Sequence, residues 1–170
     1  MEIYNENVND LLSRGNTNLE VREDRQTKGI YVEGLSKIEV SSPSDIFEAI
    51  RKGTDIRKIA ATRMNEKSSR SHTVFKFEVQ MIEKNTQTAR TIIKSSEINL
   101  VDLAGSEGVG KTQLNGLQRR EGNNINKSLL ALSNVIYSLG KRWNLGKSSY
   151  INFRDSKLTR ILKDSLQGNA

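Results

Sequence analysis

Apolar and polar positions divide the 170 residues into strand-like alternations and helix-spaced segments. Glu2-Ile3-Tyr4 reads as a strand, and Asn5 to Leu12 (NENVNDLL) as a short helical turn capped by Asn5 or Asn7. Leu19–Arg22 and Gly29–Val32 are strand candidates on either side of a polar turn at Asp24–Lys28. Leu35–Val40 alternates up to the Ser41-Ser42-Pro43 stop, and Ser44-Asp45 then opens a helix. In that helix Ile46, Ile50, Ile56, Ile59 and Ala60 roughly keep helical spacing, interrupted at Gly53. Thr73–Ile82 alternates apolar and polar residues, with Val74 on the face opposite Phe75 and Phe77. After a polar turn at Glu83–Gln87, Thr91–Leu103 supplies a second strand, so the two predict a hairpin; Ile98–Leu103 is apolar enough for a central strand.

A polar, glycine-rich loop is predicted from Gly105 to about Gly122. The next helix runs from about Asn124 to Leu139, with Ile125, Leu129, Leu132, Val135, Ile136 and Leu139 on its apolar side and Gly140 as its stop. A basic loop, Lys141–Ser149, leads to a last helix over Ser156–Leu166. Leu158, Ile161, Leu162 and Leu166 face inward there, leaving Lys157, Arg160 and Lys163 outside. With one proline, no repeat and no heptad pattern, the chain reads as one compact α/β unit.

Composition narrows the classes without choosing one. Hydrophobic residues make up 35% and charged residues 28%, a globular but polar balance. The absence of cysteine excludes disulfides and thiolate metal sites. No apolar run approaches membrane-spanning length, and Met1 is followed by Glu2, Asn5 and Glu6 rather than by a leader-like basic and apolar segment. The net charge of +7 is unevenly held: residues 1–110 carry 16 Lys/Arg against 17 Asp/Glu, and residues 111–170 carry 11 against 3. That concentration points to an acidic partner, whether nucleic acid, anionic membrane or acidic protein surface. A single tryptophan, 5% aromatic residues and no helix-turn-helix or RNA-platform pattern weigh against nucleic acid.

Two segments carry chemistry. Ile98–Glu107 (INLVDLAGSE) is an apolar strand ending in Asp102, with Gly105 and Glu107 beyond. A carboxylate at a strand's carboxyl end can hold Mg²⁺ beside a triphosphate, and a glycine amide can approach the terminal phosphate. Asn65–His72 (NEKSSRSH) offers the adjacent hydroxyls of Ser68 and Ser69 to a metal or phosphate, and the Arg70 fork to a carboxylate. A third motif misleads. Gly105–Thr112 (GSEGVGKT) fits the phosphate-loop pattern GxxxxGK[ST], yet Gln113-Leu114-Asn115-Gly116 and Gly122 make a poor continuation into the helix that such a loop needs. Independent nucleotide binding by this loop remains an alternative, one that loss of binding on Lys111→Ala would reveal.

NEKSSRSH and DLAGSE resemble switch I and switch II of the kinesins, in order and separated by a strand hairpin. NNINKSLLALSNVIYSL (Asn123–Leu139) resembles the family's relay helix, FRDSKLTRILKDSLQGN (Phe153–Asn169) its following loop and helix, and EIYNENVNDLL (Glu2–Leu12) the segment after an early core strand. The resemblance covers essentially the whole chain. It implies part of a P-loop NTPase-type motor fold, a mixed central sheet flanked by helices. Switch I lies at 65–72, switch II at 102–107, the relay helix at about 123–139, and the following loop and last helix at about 140–166.

The resemblance further implies ATP and Mg²⁺ as cofactors. Ser69 and Asp102 would hold the metal, Gly105 would donate to the γ-phosphate, and Asn65 and His72 would support the loop. Arg70 and Glu107 would form the closing salt bridge, with Ser68 and Glu107 serving the attacking water. Microtubules are the implied partner, in the cytoplasm and on its cytoskeleton, through Lys111, Lys127, Lys141, Arg142, Lys147, Arg154, Lys157 and Arg160. Some of these are expected to serve inner salt bridges instead, Arg154 beside Asp155 foremost among them, and any dimerisation would use regions outside these residues. The family's phosphate loop, earlier strands, final strand and neck linker have no counterpart among the 170 residues, so the chain by itself is expected to hydrolyse essentially no ATP. A non-hydrolysing filament-binding module is the alternative reading, and a basic nucleic-acid-binding module the second.

Overall fold

The computed structural model describes residues 1–27, 29–61, 67–85, 90–105, 116–145 and 150–168. Strands β1 (Glu2–Tyr4), β2 (Asn7–Asn9), β5 (Ser71–Asn85) and β6 (Arg90–Asp102) form one sheet in the order β2-β1-β5-β6. Every pairing among these four is antiparallel, so the parallel pairings of a mixed sheet do not occur among the described strands. β3 (Val21–Glu23) and β4 (Ile30–Val32) make a separate two-stranded ribbon, as the sequence predicts. The β5–β6 hairpin is also as predicted, in register from Thr73 opposite Asp102 to Asn85 opposite Arg90. Among the described residues no strand pairs with the outer side of β6, and Ile98 and Leu100 are about half exposed, so the expected central strand stands at an edge.

Residues 5–12 depart from the predicted helical turn. Asn5 and Glu6 both have positive φ, 52° and 60°, and form a tight two-residue reversal from β1 into β2. The spacing of Val8, Leu11 and Leu12 imitates a helix, but Val8 is buried from a strand. Leu35–Val40 is not a strand either: Ser36 N–H is spent on the Asp10 carboxylate, and the Lys37 ammonium pairs with Glu78. Helix α1 (Pro43–Ala61) begins with a reciprocal cap, Asp45 N–H donating to Ser42 Oγ and Ser42 N–H to the Asp45 carboxylate. It runs unbroken through Gly53, and its inward positions are Ala49 and Gly53, whereas Ile50 and Ile59 lie exposed.

Helix α2 (Gly116–Leu145) is longer at both ends than its pattern predicts, passing through Gly122 and Gly140. Each interior glycine costs a helix about 1 kcal/mol. Burial of Ile125, Ser128, Ala131 and Val135 along one stripe offsets that, while Ile136, predicted to face inward, is exposed. Past Gly140 the Lys141 ammonium sits 4.7 Å from the Tyr137 ring centroid, an i,i+4 contact that favours continuing the helix. The last predicted helix is broken at Leu162 into α3 (Lys157–Ile161) and α4 (Lys163–Gln167), after a 3₁₀ turn at Phe153–Asp155. Ser156 caps α3 by accepting from Thr159 N–H.

The main core lies where β1, β2 and β5 meet the β3–β4 ribbon and α3. Ile3, Val8, Val21, Ile30, Val74, Leu158, Ile161 and Leu162 fill it, each worth about 1.5–3 kcal/mol of burial. A smaller cluster of Val135, Ile151 and Phe153 fastens α2 to the last helical segment.

Candidate functional site

The 3₁₀ turn Lys67–Arg70 leads without a linker into β5 at Ser71, so the first hydroxyl-rich residues sit at a strand's start. Antiparallel register places the end of β6 beside them, with Asp102 opposite Thr73. Two successive amides just beyond β6 are held by this neighbouring segment. Gly105 N–H donates to the Ser69 carbonyl at 2.9 Å, and Ala104 N–H donates to His72 Nδ1 at 3.0 Å. The Gly105 amide, which the resemblance assigns to the γ-phosphate, would therefore have to exchange one acceptor for another.

His72 is nearly inaccessible, 3% exposed, and its ring bridges two elements. Because Nδ1 accepts from Ala104, Nε2 carries the proton and donates to Ser128 Oγ at 2.7 Å. The Ser128 hydroxyl in turn donates to the Ile125 carbonyl of its own helix at 2.8 Å. Burial holds the imidazole's pKa below its ordinary 6.5, only partly opposed by the Asp102 carboxylate. The neutral ring is thus the native form, and the unfolded chain binds the proton more readily. Stability from this group is complete above about pH 6.5 and is lost as pH falls from there toward the lower folded-state value. Acidification from pH 7.5 to 5.5 is expected to cost up to about 1.4 kcal/mol through His72. Urea midpoints that coincide at the two pH values would contradict this.

Arg57, on α1, had no signal in the sequence beyond a cation on a helix. Its guanidinium reaches the Asp102 carboxylate at 3.3 Å, Ser71 Oγ at 3.2 Å and Glu2 at 3.8 Å. Asp102 itself is largely exposed, an oxygen donor open to a hard cation. Among the described residues no cluster of three or more His, Cys, Asp or Glu could hold a metal unaided.

The basic residues fare differently. On α2, Lys127 and Lys141 are exposed along one broad face that also presents Leu130 and Tyr137, 62% and 63% exposed, and Arg142 is exposed on the side that lines the cleft described below. Arg154 is engaged, as anticipated, but with Glu23 at 3.1 Å rather than with Asp155. Lys163 is not available outside, because it bridges the same Glu23 at 3.3 Å. Lys157 is half-buried with Nζ 3.4 Å from the Leu19 carbonyl, and Arg160 is half-buried. A cleft of about 440 Å³ brings Arg142, Arg154, Arg160 and Lys163 around Glu23.

The model of the kinesin motor domain matches residues 1–170. The chain belongs to the kinesin motor domain family. It is 49% identical to a kinesin heavy chain of Gibberella moniliformis over 100% of its own length, and 48% identical over 99% to the kinesin heavy chain of Drosophila melanogaster. It spans only 17% and 16% of those relatives. Among solved structures it superposes on a fast kinesin with a TM-score of 0.80 at 48% identity, covering 97% of this chain and 44% of that one. A kinesin 6 structure gives 0.81 at 34% identity, covering 99% and 46%.

Several residues the kinesin resemblance singles out lie outside the described residues: Asn65 and Glu107 of the two switches, and Lys111 and Lys147 of the basic set. For Ser68 only the backbone, within the 3₁₀ turn, is described. The GxxxxGK[ST] match at Gly105–Thr112 lies outside them too, apart from Gly105. Ser128 was readable in advance: a hydroxyl on the buried stripe between Ile125 and Leu132 must find a partner.

Proposed function

We propose that this kinesin chain is the phosphate-sensing and filament-binding part of an ATP-driven microtubule motor. Residues 65–72 act as switch I, 102–107 as switch II, and α2 with the segment to about residue 166 as the filament-facing side. The carrying observation is the pair of bonds by which Gly105 and Ala104 N–H meet Ser69 and His72, because they join both sensing segments at one point. Ser69 and Asp102 would hold Mg²⁺, which when bound neutralises phosphate charge. Arg70 and Glu107 would close over the nucleotide, with Ser68 and Glu107 orienting the water and Asn65 supporting the loop.

Exposed Lys127 and Lys141 around Leu130 and Tyr137 suit an acidic protein surface better than a nucleic-acid backbone, since an exposed apolar patch rimmed by charge marks protein interfaces. Lys111, Arg142, Lys147, Arg154, Lys157 and Arg160 belong to the same proposed surface, Arg154 secondarily because Glu23 already holds it. Its place of action would be the cytoplasmic microtubule cytoskeleton. The one GxxxxGK[ST] within the 170 residues follows the switch II strand, so the chain alone lacks a phosphate cradle of the usual kind and hydrolyses essentially no ATP.

Two measurements test this. The full-length protein carrying this chain is expected to sediment with microtubules more tightly with a non-hydrolysable ATP analogue than with ADP. Equal affinity in both would favour the non-hydrolysing binder, and stronger pelleting with DNA at matched ionic strength the nucleic-acid module. For the 170 residues alone at millimolar ATP, microtubule-stimulated turnover of about 1 s⁻¹ or more would overturn the assignment of inactivity.

A further inference from the structure

We propose that His72 is a positioning residue that transmits movement of the Ala104–Gly105 turn to helix α2 through Ser128. The inference rests on the motor reading above and goes beyond it by naming the link. Three bonds in series fix its direction: Ala104 N–H to Nδ1, Nε2–H to Ser128 Oγ, and Ser128 O–H to the Ile125 carbonyl. No bond in the series can be reversed. The Ala104 amide can only donate, the Ile125 carbonyl can only accept, and the ring between them holds one proton. His72, Ala104, Ile125 and Ser128 are all buried, so a partner lost from the series leaves a buried polar group that is costly to leave unpaired.

Position makes the series more than satisfied core polarity. The first donor is adjacent to Gly105, whose own amide rests on the Ser69 carbonyl and is the group the motor reading assigns to phosphate. Moving Gly105 onto another acceptor displaces the Ala104 peptide, which must either carry the ring with it or break the first bond. The far end lies on the buried stripe of α2, on the helix whose opposite face presents Lys127, Leu130 and Tyr137. An imidazole suits the task because it is rigid, with an acceptor and a donor on opposite sides of one plane.

Two substitutions divide the ring's roles. His72→Asn places an amide oxygen near the Nδ1 position and keeps an acceptor for Ala104, while His72→Gln places an amide N–H near the Nε2 position and keeps the donor to Ser128. The readout is the ratio of microtubule affinities with ATP analogue and with ADP, measured on the full-length protein carrying this chain. The ratio is expected to fall about tenfold in His72→Asn, in His72→Gln and in Ser128→Ala, with His72→Asn and Ser128→Ala combined falling no further than either alone. Variants that melt earlier yet keep the parent ratio would reduce the histidine to a structural role and overturn the proposal. A parent ratio of one would instead remove the motor reading itself. Nitrogen-15 NMR of the His72 ring in the parent protein tests the series without any substitution: a proton on Nε2 supports it, and a proton on Nδ1 overturns it.

Discussion

Replacing Arg57 with alanine is expected to destabilise the fold by about 3 kcal/mol, because it takes a cation away from a carboxylate that the sheet has already taken out of water. Glu2 is 2% exposed and lies on β1 between the pairings to β2 and β5. Its polar contacts include Arg57 at 3.8 Å and the Asn9 amide at 3.4 Å, both long. Removing one partner of a buried ion pair costs about 3–5 kcal/mol, and the long separation places this pair at the lower end. Arg57 also fastens α1 to the start of β5 through Ser71 and to the end of β6 through Asp102, so the loss is not confined to Glu2. Arg57→Lys keeps the charge but not the planar fork, and an intermediate loss is expected. If the loss of charge balance at Glu2 is the main cause, adding Glu2→Gln to Arg57→Ala recovers part of the stability. Urea unfolding of the parent and these three variants measures this. A loss below about 1 kcal/mol in Arg57→Ala would mean that the pair contributes no more than an exposed one.

How far the fold could be read from the sequence depended on whether local pattern and tertiary packing agreed. The β5–β6 hairpin was legible because alternation in Thr73–Ile82 and an apolar run in Ile98–Leu103 flank a polar stretch suited to a reversal, although both strands run further into it than the pattern shows. The β1–β2 hairpin was not, because its reversal uses Asn5-Glu6 rather than a glycine pair, and glutamate gives no warning of a positive φ. Helix α2 was underestimated since Gly116, Gly122 and Gly140 are read locally as breaks, whereas the buried stripe from Ile125 to Val135 holds the helix together from outside that pattern. The opposite error came at Leu162, where apolar spacing continues but the backbone turns, φ −86° and ψ 2°.

Site chemistry was legible where it resides in side-chain identity and silent where it resides in backbone groups. Ser69, Arg70, Asp102 and Gly105 were identifiable as strings with a family resemblance. The Ser69 carbonyl and the Ala104 amide, which bring the strings together, have no sequence signature at all. The basic excess of residues 111–170 was equally visible, but composition could not show which cations are already committed. Glu23, far away in sequence on β3, takes both Arg154 and Lys163, which leaves the exposed charge concentrated on α2.

That redistribution makes charge reversal on α2 the sharpest test of the filament face. Lys127→Glu combined with Lys141→Glu in the full-length protein carrying this chain is expected to weaken microtubule binding by about 30–100-fold at low salt, since like charges set against an acidic surface cost several kcal/mol and also slow encounter. Both side chains are exposed, and no salt bridge involving either is present among the described residues; loss of the exposed Lys141–Tyr137 contact should cost about 0.5–1 kcal/mol, so the melting temperature should fall only slightly below the parent's. Arg154→Glu at the already occupied Glu23 should weaken binding less while destabilising the protein more, since it sets two carboxylates together. The deficit of the α2 double variant should shrink as salt rises, because screening acts on exposed charges beyond about 8 Å at physiological ionic strength. Equal losses for Arg154→Glu and the α2 pair, or a deficit independent of salt, would move the contact surface away from α2 and leave Leu130 and Tyr137 without a partner to explain their exposure.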